Sequence, residues 1–235
     1  MTNAPTDVTA PRQSPDISNT LLGRVFEAVL FDMDGTLVDS TNAVSRSWRR
    51  WADEAGLGES FRGAVHGVPA RQMIATLVPA DQVDGAVARV TELEMADTAD
   101  ITILPGAGDL LTSIPEHRRA IVTSCSRALC LLRLTASGFP IPATVVTIED
   151  THRGKPFPEP FLEAAKRLGV DPARCLVVED APAGLEAARA AGCATIGVEG
   201  THAAADLIAD LVVTSLDRLV IVIQDDGVRF ELLPA

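Results

Sequence analysis

The stretch "VLFDMDGTLVDS", residues 29–40, is the part of the chain that most restricts the possible folds. An apolar run, typical of a buried strand, ends in two aspartates, Asp32 and Asp34, with Gly35 and Thr36 close behind. Like charges this close repel each other, and burying an unpaired charge is costly. The rest of the chain must therefore supply compensating positive charge at the end of this strand.

Apolar runs of the same kind recur along the chain and indicate a sheet. Together with residues 25–31, they predict strands at 119–124, 143–148, 174–180, 194–199 and 210–215. Helical patterns separate them at 106–113, 127–136, 159–168 and 182–191. Strands that alternate with helices indicate an α/β fold with a parallel sheet. Near the C-terminus, two runs that flank Asp226-Gly227 predict a hairpin within residues 219–235.

Residues 40–104 break this alternation, because connections in α/β units are usually only about 2–6 residues long. One helical face in this interval carries four apolar residues, Val44, Trp48, Trp51 and Ala55. We therefore expect a small helical domain inserted into a core made of 23–39 and 105–235. We expect Trp48 and Trp51 to form part of the hydrophobic core of this insert rather than a surface on which sugars stack.

Composition and charge narrow the class of protein. The chain has 235 residues, is 47% hydrophobic and carries a formal net charge of −12. This balance argues against nucleic acid and anionic membranes as main partners, since both require a basic surface. No apolar run approaches the ~20 residues that span a membrane. Residues 1–22 are polar and proline-rich, and we expect a disordered tail without a signal-peptide core.

The four cysteines show no spacing typical of a metal site or a disulfide framework. We expect free thiols in a reducing compartment, which indicates a cytoplasmic protein.

Polar residues follow four of the apolar runs, where a strand or its loop reaches one edge of the predicted sheet. These clusters are Asp32 with Asp34, Ser124 with Cys125 and Ser126, Lys155 after Gly154, and Glu179 with Asp180. Ligands of parallel α/β sheets bind beyond the carboxyl ends of the strands. We therefore expect these sequence-distant residues to converge on one site.

The residue types in these clusters suit a phosphate and a hard cation. Asp32, Asp34 and Asp180 offer the oxygen ligands that Mg²⁺ prefers, and no histidine or cysteine clusters with them to favour zinc. Lys155 adds a second positive charge, and Ser124 adds a hydroxyl donor for phosphate oxygens. A bound Mg²⁺ would neutralise the paired aspartates. A carboxylate can also attack phosphorus to form an aspartyl-phosphate.

Four segments, "DMDGTLVDS", "VTSCSR", "GKPFPEP" and "VVEDAPAGLEAARAAG", resemble the four motifs of the haloacid dehalogenase superfamily, in the expected order. The resemblance covers residues 24–218, and the helical insert is similar to the small α-helical cap of that family. It implies a Rossmann-like core. "HGVPA", residues 66–70, and the fourth motif look most similar to phosphatases of sugar and polyol phosphates, such as glycerol phosphate and deoxyglucose phosphate.

The resemblance implies roles for the acidic residues. Asp32 would be the nucleophile that accepts the phosphoryl group. Asp34 would be the general acid and base, which protonates the leaving alcohol and then activates water. Asp180 would complete a Mg²⁺ site with the Asp32 side chain and the Asp34 backbone carbonyl, and Glu179 would support it from outside the metal's ligand set.

It also implies a phosphate-binding group. Lys155 would neutralise the nucleophile and the transferring phosphoryl group. Ser124 would donate a hydrogen bond to the phosphate, with Thr123 as the alternative for that role. The Gly35 amide and Cys125, which follows Ser124, would complete the cradle.

Substrate selection is expected in the insert and beside the second motif. His66 and Arg71 flank the Gly-Pro turn of the insert and are our candidates there. Ser126 and Arg127 are candidates beside the second motif, although helix capping and solvation explain them equally well.

The leading prediction is a Mg²⁺-dependent phosphatase that hydrolyses a small phosphorylated sugar or polyol through an aspartyl-phosphate. A mutase of β-phosphoglucomutase type is the main alternative, but such mutases carry a histidine where this chain has Val44. Asp34 argues against a dehalogenase, and the absence of lysine from residues 40–104 argues against a phosphonate hydrolase. A catalytically idle binding protein is disfavoured because no motif residue is missing.

Overall fold

The computed structural model describes residues 21–58, 61, 63 and 66–233, and its centre is a six-stranded parallel sheet. The strands, numbered along the chain, are β1 (Ala28–Phe31), β2 (Val38–Asp39), β3 (Thr102–Ile103), β4 (Arg119–Val122), β5 (Val145–Val146), β6 (Cys175–Glu179), β7 (Ala194–Val198), β8 (Leu211–Val213), β9 (Leu219–Gln224) and β10 (Gly227–Leu232). The sheet order is β5-β4-β1-β6-β7-β8, with every neighbouring pair parallel. This Rossmann-like α/β architecture confirms the predicted fold class.

The described helices are α1 (Thr41–Glu54), α2 (Ala70–Ile74), α3 (Val83–Ala96), α4 (Ala107–Ser113), α5 (Arg127–Ser137), α6 (Glu159–Leu168) and α7 (Pro182–Ala190). The last four of them, α4 to α7, cover the two faces of the sheet. Alternate residues of β1 point to opposite faces, so Phe31 packs in the same core cluster as residues of α4 and α5, whereas Leu30 packs with residues of α6 and α7. Burial on both faces explains why the sheet strands are continuous apolar runs.

Strand order places a crevice beside β1. From β1 the chain moves outward to β4 and β5, then returns to the other side of β1 and continues through β6, β7 and β8. In such a sheet, ligands bind outside the carboxyl ends of the strands where the order reverses. Asp32 follows β1 directly, and Asp180 follows β6 directly.

Helices α1, α2 and α3 build a third hydrophobic cluster between β2 and β3, which pair antiparallel where the chain enters and leaves this helical segment. Trp48 and Trp51 are buried in the cluster, with their rings edge to face at a centroid distance of 5.6 Å. Both tryptophans therefore belong to a packed core. Trp48 also lines the cavity described below.

Residues near both ends of the described chain pack in the main hydrophobic core. β9 and β10 form an antiparallel hairpin, and Phe26 bridges to Val228. The predicted tail falls mostly outside the described residues, but Leu21 lies in the main core cluster and only 3% of it is exposed. Among the described residues, no helix combines the length and apolar character needed to cross a membrane.

β5 is much shorter than the predicted strand at 143–148. A 3-10 helix begins at Ile148, and Thr147 caps it. The Thr147 amide and hydroxyl both donate to the Asp150 carboxylate, at 2.8 and 2.9 Å. This local hydrogen bonding competes with the sheet and ends the strand.

Candidate active site

A cavity of about 550 Å³ lies between the carboxyl edge of the sheet and the helical segment. Asp32 and Asp34 line it from the core, together with the Thr123–Ser126 loop that follows β4. His66, Arg71 and residues of α1 and α3 line it from the helical segment. The cavity is large enough for a small metabolite.

Lys155 is fully buried beside two carboxylates. Its Nζ donates to Asp32 Oδ1 at 2.5 Å, to Glu179 Oε1 at 2.8 Å and to the Val122 carbonyl at 3.1 Å. An ammonium group has three protons, so these three acceptors satisfy it completely. The lysine is thereby fixed between the carboxyl ends of β1, β4 and β6.

Asp180 completes the buried acidic cluster from the other side. Its Oδ1 accepts a hydrogen bond from the Thr36 hydroxyl at 3.1 Å, and its Oδ2 accepts one from the Thr201 hydroxyl. Gly35 turns the chain beside it at a φ of +89°. A Cβ at this position would lie 2.2 Å from Asp180 Oδ2, so both the backbone angle and the space demand glycine.

Charge in this cluster is unbalanced. Asp32, Glu179 and Asp180 offer carboxylate oxygens that all lie within 4.8 Å of one another. Three ionised carboxylates against the single ammonium of Lys155 leave a net charge of −2. Burial, reinforced by the neighbouring carboxylates, raises the pKa of both Asp32 and Asp180 to about 7. Burial alone lowers the pKa of Lys155, but attraction to Asp32 and Glu179 outweighs it and keeps the lysine charged.

The donor set fits a hard divalent cation, which would bring the net charge of the cluster to zero. Both oxygens of Glu179 are already used, since Oε1 accepts from Lys155 and Oε2 accepts from the Ala181 amide at 2.6 Å. Asp32 and Asp180 are therefore the better side-chain ligands. The Asp34 carboxylate turns away from this group, so its side chain is not part of the oxygen cluster.

The Asp34 carboxylate is held by a second buried network, which the sequence did not reveal. Its Oδ1 accepts from the Ser40 hydroxyl at 2.6 Å and from Arg133 Nη1 at 2.9 Å. Arg133 Nη2 lies 3.3 Å from Glu94 Oε1, which also accepts from Trp48 Nε1 at 3.1 Å. The network thus runs from the first motif through α5 to the helical segment.

A sequence signal for Arg133 and Glu94 did exist. Both occupy the buried face of an amphipathic helix: Arg133 continues the spacing of Leu129 and Cys130 in α5, and Glu94 follows Val90 at i+4 in α3. A charged residue on a buried face needs a partner.

Ser124, Thr123 and Cys125, which we expect to bind the phosphate, lie at the cavity, but they already make hydrogen bonds within the protein. The Ser124 hydroxyl donates to the Gly67 carbonyl at 2.8 Å, which ties the core to the helical segment. The Thr123 hydroxyl contacts Cys125 Sγ and its amide, both at 3.2 Å. Burial raises the pKa of Cys125 well above its usual range, so this thiol is not a thiolate nucleophile.

The expected substrate-selecting residues divide into two groups. In the first group, His66 and Arg71 both line the cavity. Burial lowers the pKa of His66. Arg71 is largely exposed, and its guanidinium pairs with Asp84 at 2.5 Å. Ser126 also lines the cavity, but its side chain caps α5 by accepting from the Leu129 amide.

Arg127 lies outside the described lining of the cavity. Its guanidinium pairs with Asp150 at 2.6 Å, and its amide donates to Glu149. This pairing directs the side chain towards the loop after β5, and a substrate contact by Arg127 stays a prediction.

Comparisons with known proteins identify the family to which this chain is similar. A protein-family model described as haloacid dehalogenase-like hydrolase matches residues 29–198. Hexitol phosphatase A of Escherichia coli (strain K12) is 40% identical over 206 residues, which cover 84% of this chain and 95% of that protein. 2-Deoxyglucose-6-phosphate phosphatase 2 of Saccharomyces cerevisiae is 30% identical over 220 residues, which cover 82% of this chain and 89% of that protein.

Among solved structures, β-phosphoglucomutase from Clostridium difficile resembles this chain with a TM-score of 0.67 and 25% identity, over 82% of this chain and 92% of that one. The sheet and its helices define an α/β protein with a Rossmann-like core, and the family match identifies it as a hydrolase. The chain belongs to the haloacid dehalogenase-like hydrolase family.

Proposed function

We propose that this protein is a Mg²⁺-dependent phosphatase that hydrolyses a small, otherwise uncharged sugar or polyol phosphate. The observation that carries the proposal is the buried cluster of Asp32, Glu179, Asp180 and Lys155, which sets three carboxyl groups against one ammonium and adjoins the cavity. Asp32 and Asp180 would hold Mg²⁺ by their side chains. Bound Mg²⁺ would supply charge neutralisation for the carboxylates and the phosphate.

In the first half of the reaction, an Asp32 carboxylate oxygen attacks phosphorus and the bond to the leaving oxygen breaks. Asp34, which also lines the cavity, gives a proton to the departing alcohol. Lys155 holds Asp32 in place through the 2.5 Å hydrogen bond and offsets part of the negative charge. Positioning and charge stabilisation supply most of the catalysis in phosphoryl transfer.

In the second half, Asp34 takes a proton from water, and the resulting oxygen attacks phosphorus of the aspartyl-phosphate. The bond between Asp32 and phosphorus breaks, inorganic phosphate leaves, and the Asp32 carboxylate is restored. The hydrogen bonds from Ser40 and Arg133 fix the orientation of Asp34 in both halves.

Pairing of the cavity's arginines supports an uncharged leaving group. Each arginine in the described lining already has a carboxylate partner: Arg71 pairs with Asp84, Arg133 with Asp34 and Glu94, and Arg153 with Glu159. A second phosphate or a carboxylate on the substrate would have to compete for these cations. The names of the relatives, a hexitol phosphatase and a deoxyglucose-phosphate phosphatase, point to substrates of the same class.

The mutase alternative rests on the likeness to β-phosphoglucomutase. Against it, Val44 lines the cavity where the family resemblance leads us to expect a histidine in mutases.

The four cysteines are free thiols, which supports the proposal that the protein works in the reducing cytoplasm.

A substrate screen tests the proposal. Release of inorganic phosphate is measured for p-nitrophenyl phosphate, glucitol 6-phosphate, glycerol 3-phosphate and 2-phosphoglycolate, with Mg²⁺ and with EDTA. We expect Mg²⁺-dependent turnover and kcat/KM values that favour the two polyol phosphates. Conversion of β-glucose 1-phosphate into glucose 6-phosphate with little phosphate release would establish the mutase instead.

A further inference from the structure

A buried ion pair joins the helical segment to the core at one wall of the cavity. Glu94 comes from α3 and Arg133 from α5, and less than a tenth of either residue is exposed. Both line the cavity. The hydrogen bond from Trp48 Nε1 fixes the Glu94 carboxylate, so the pair presents a rigid polar surface in a largely apolar wall.

One nitrogen of Arg133 has no hydrogen-bond partner. Nη1 donates to Asp34 and Nη2 faces Glu94, but the buried Nε has no hydrogen-bond partner. Nε–H and one N–H of Nη2 project from the same edge of the planar guanidinium, so the unused donor stands next to the nitrogen that faces Glu94. A buried donor without a partner is unfavourable, so this position favours a ligand oxygen.

We propose that the Nε–H of Arg133 and the carboxylate of Glu94 together bind a hydroxyl group of the substrate's leaving group. A hydroxyl can accept from the first and donate to the second, whereas an alkyl chain can do neither and an anionic group would face the Glu94 charge. Glu94 and Arg133 are then the residues that select a polyhydroxy chain. This inference rests on the proposed phosphatase function.

The position of the pair indicates which hydroxyl it binds. Arg133 also donates to Asp34, the residue that would protonate the leaving oxygen. One guanidinium spans the two carboxylates, so the bound hydroxyl belongs to a carbon near the phosphoester. The same arginine therefore links recognition of the leaving group to the orientation of Asp34.

The test compares a polyhydroxy substrate with one that lacks hydroxyls. Values of kcat/KM are measured for glucitol 6-phosphate and n-hexyl phosphate, with wild type, Glu94→Gln and Arg133→Lys. Gln retains an acceptor for Trp48, and Lys retains a positive charge but has no Nε–H. Glu92→Gln is the matched control, because Glu92 lies on the same helix, its side chain is 70% exposed and it pairs with Arg89.

We expect both variants to lower the ratio of the two kcat/KM values by about tenfold or more, since a tenfold change corresponds to about 1.4 kcal/mol, the scale of one hydrogen bond to a charged group. Glu92→Gln should leave the ratio unchanged. An unchanged ratio in Glu94→Gln, or an equal loss on both substrates, would overturn the inference while leaving the phosphatase function intact. A wild type that hydrolyses no phosphomonoester, p-nitrophenyl phosphate included, would refute the proposed function and this inference with it.

Discussion

Replacing Asp180 with asparagine should stabilise the metal-free protein and remove most of its response to Mg²⁺. Asp180 is buried beside Asp32 and Glu179, and its pKa is raised from the ordinary 3.8 to about 7, chiefly by burial. The folded protein therefore holds this proton more tightly than the unfolded chain does. Stability is present in full below pH 3.8 and is lost as the pH rises towards about 7.

The size of the effect follows from the two pKa values. Each pKa unit corresponds to about 1.4 kcal/mol, so burial of Asp180 costs about 4 kcal/mol of stability at pH 8, where the side chain is ionised, and about 2 kcal/mol at pH 5, where it is protonated in the folded protein. Asparagine has the same shape, can accept from Thr36 and has no charge to bury. At ~2–4 °C per kcal/mol for a chain of this length, the variant should gain about 8–16 °C in Tm at pH 8.

The assay is thermal unfolding in EDTA at both pH values, repeated with saturating Mg²⁺. Wild type should gain stability from Mg²⁺ at pH 8, whereas Asp180→Asn should gain little. Asp53→Asn, an exposed position on α1, serves as the control for loss of one negative charge. A variant no more stable than wild type in EDTA at pH 8, or an advantage that does not shrink at pH 5, would refute the reasoning from buried charge.

Three further substitutions test other parts of the site. Lys155→Met should abolish phosphate release and destabilise the metal-free protein by about 3–5 kcal/mol in urea unfolding, because it leaves buried carboxylates without their cation. Replacement of an exposed lysine, Lys166→Met, is the control. Near wild-type stability of Lys155→Met would contradict this prediction. His66→Ala and Arg71→Ala should each change the ranking of sugar and polyol phosphates in kcat/KM more than they change turnover of p-nitrophenyl phosphate, whereas exposed Arg50→Ala should not. An equal loss on every substrate would argue against a selective role.

The central strands were predictable because each is buried on both faces. β1, β4, β6 and β7 therefore appear as continuous apolar runs, and a polar residue marks the end of each run. Convergence of Asp32, Lys155 and Asp180 also followed, because carboxyl ends of parallel strands share one edge of the sheet. Strand ends were less predictable, as β5 shows, since local side-chain hydrogen bonds terminate it early.

The network around Asp34 was not predicted, although its members stand on buried helix faces. A helical pattern shows that Arg133 or Glu94 needs a partner, but it does not show which of many carboxylates or arginines lies opposite. That depends on how the helical segment docks on the core. The contact of Ser124 with the Gly67 carbonyl has the same origin, because the two residues are 57 positions apart.

The central claim is that Asp32 carries the phosphoryl group during Mg²⁺-dependent hydrolysis of a polyol phosphate. The most direct measurement is the rate of phosphate release from glucitol 6-phosphate in saturating Mg²⁺ by wild type and by Asp32→Asn, with circular dichroism to show that the variant is folded. The account predicts turnover by wild type and none by the folded variant, because an amide cannot accept the phosphoryl group. Near wild-type turnover by Asp32→Asn, in a preparation shown by mass spectrometry to be free of deamidation, would contradict it.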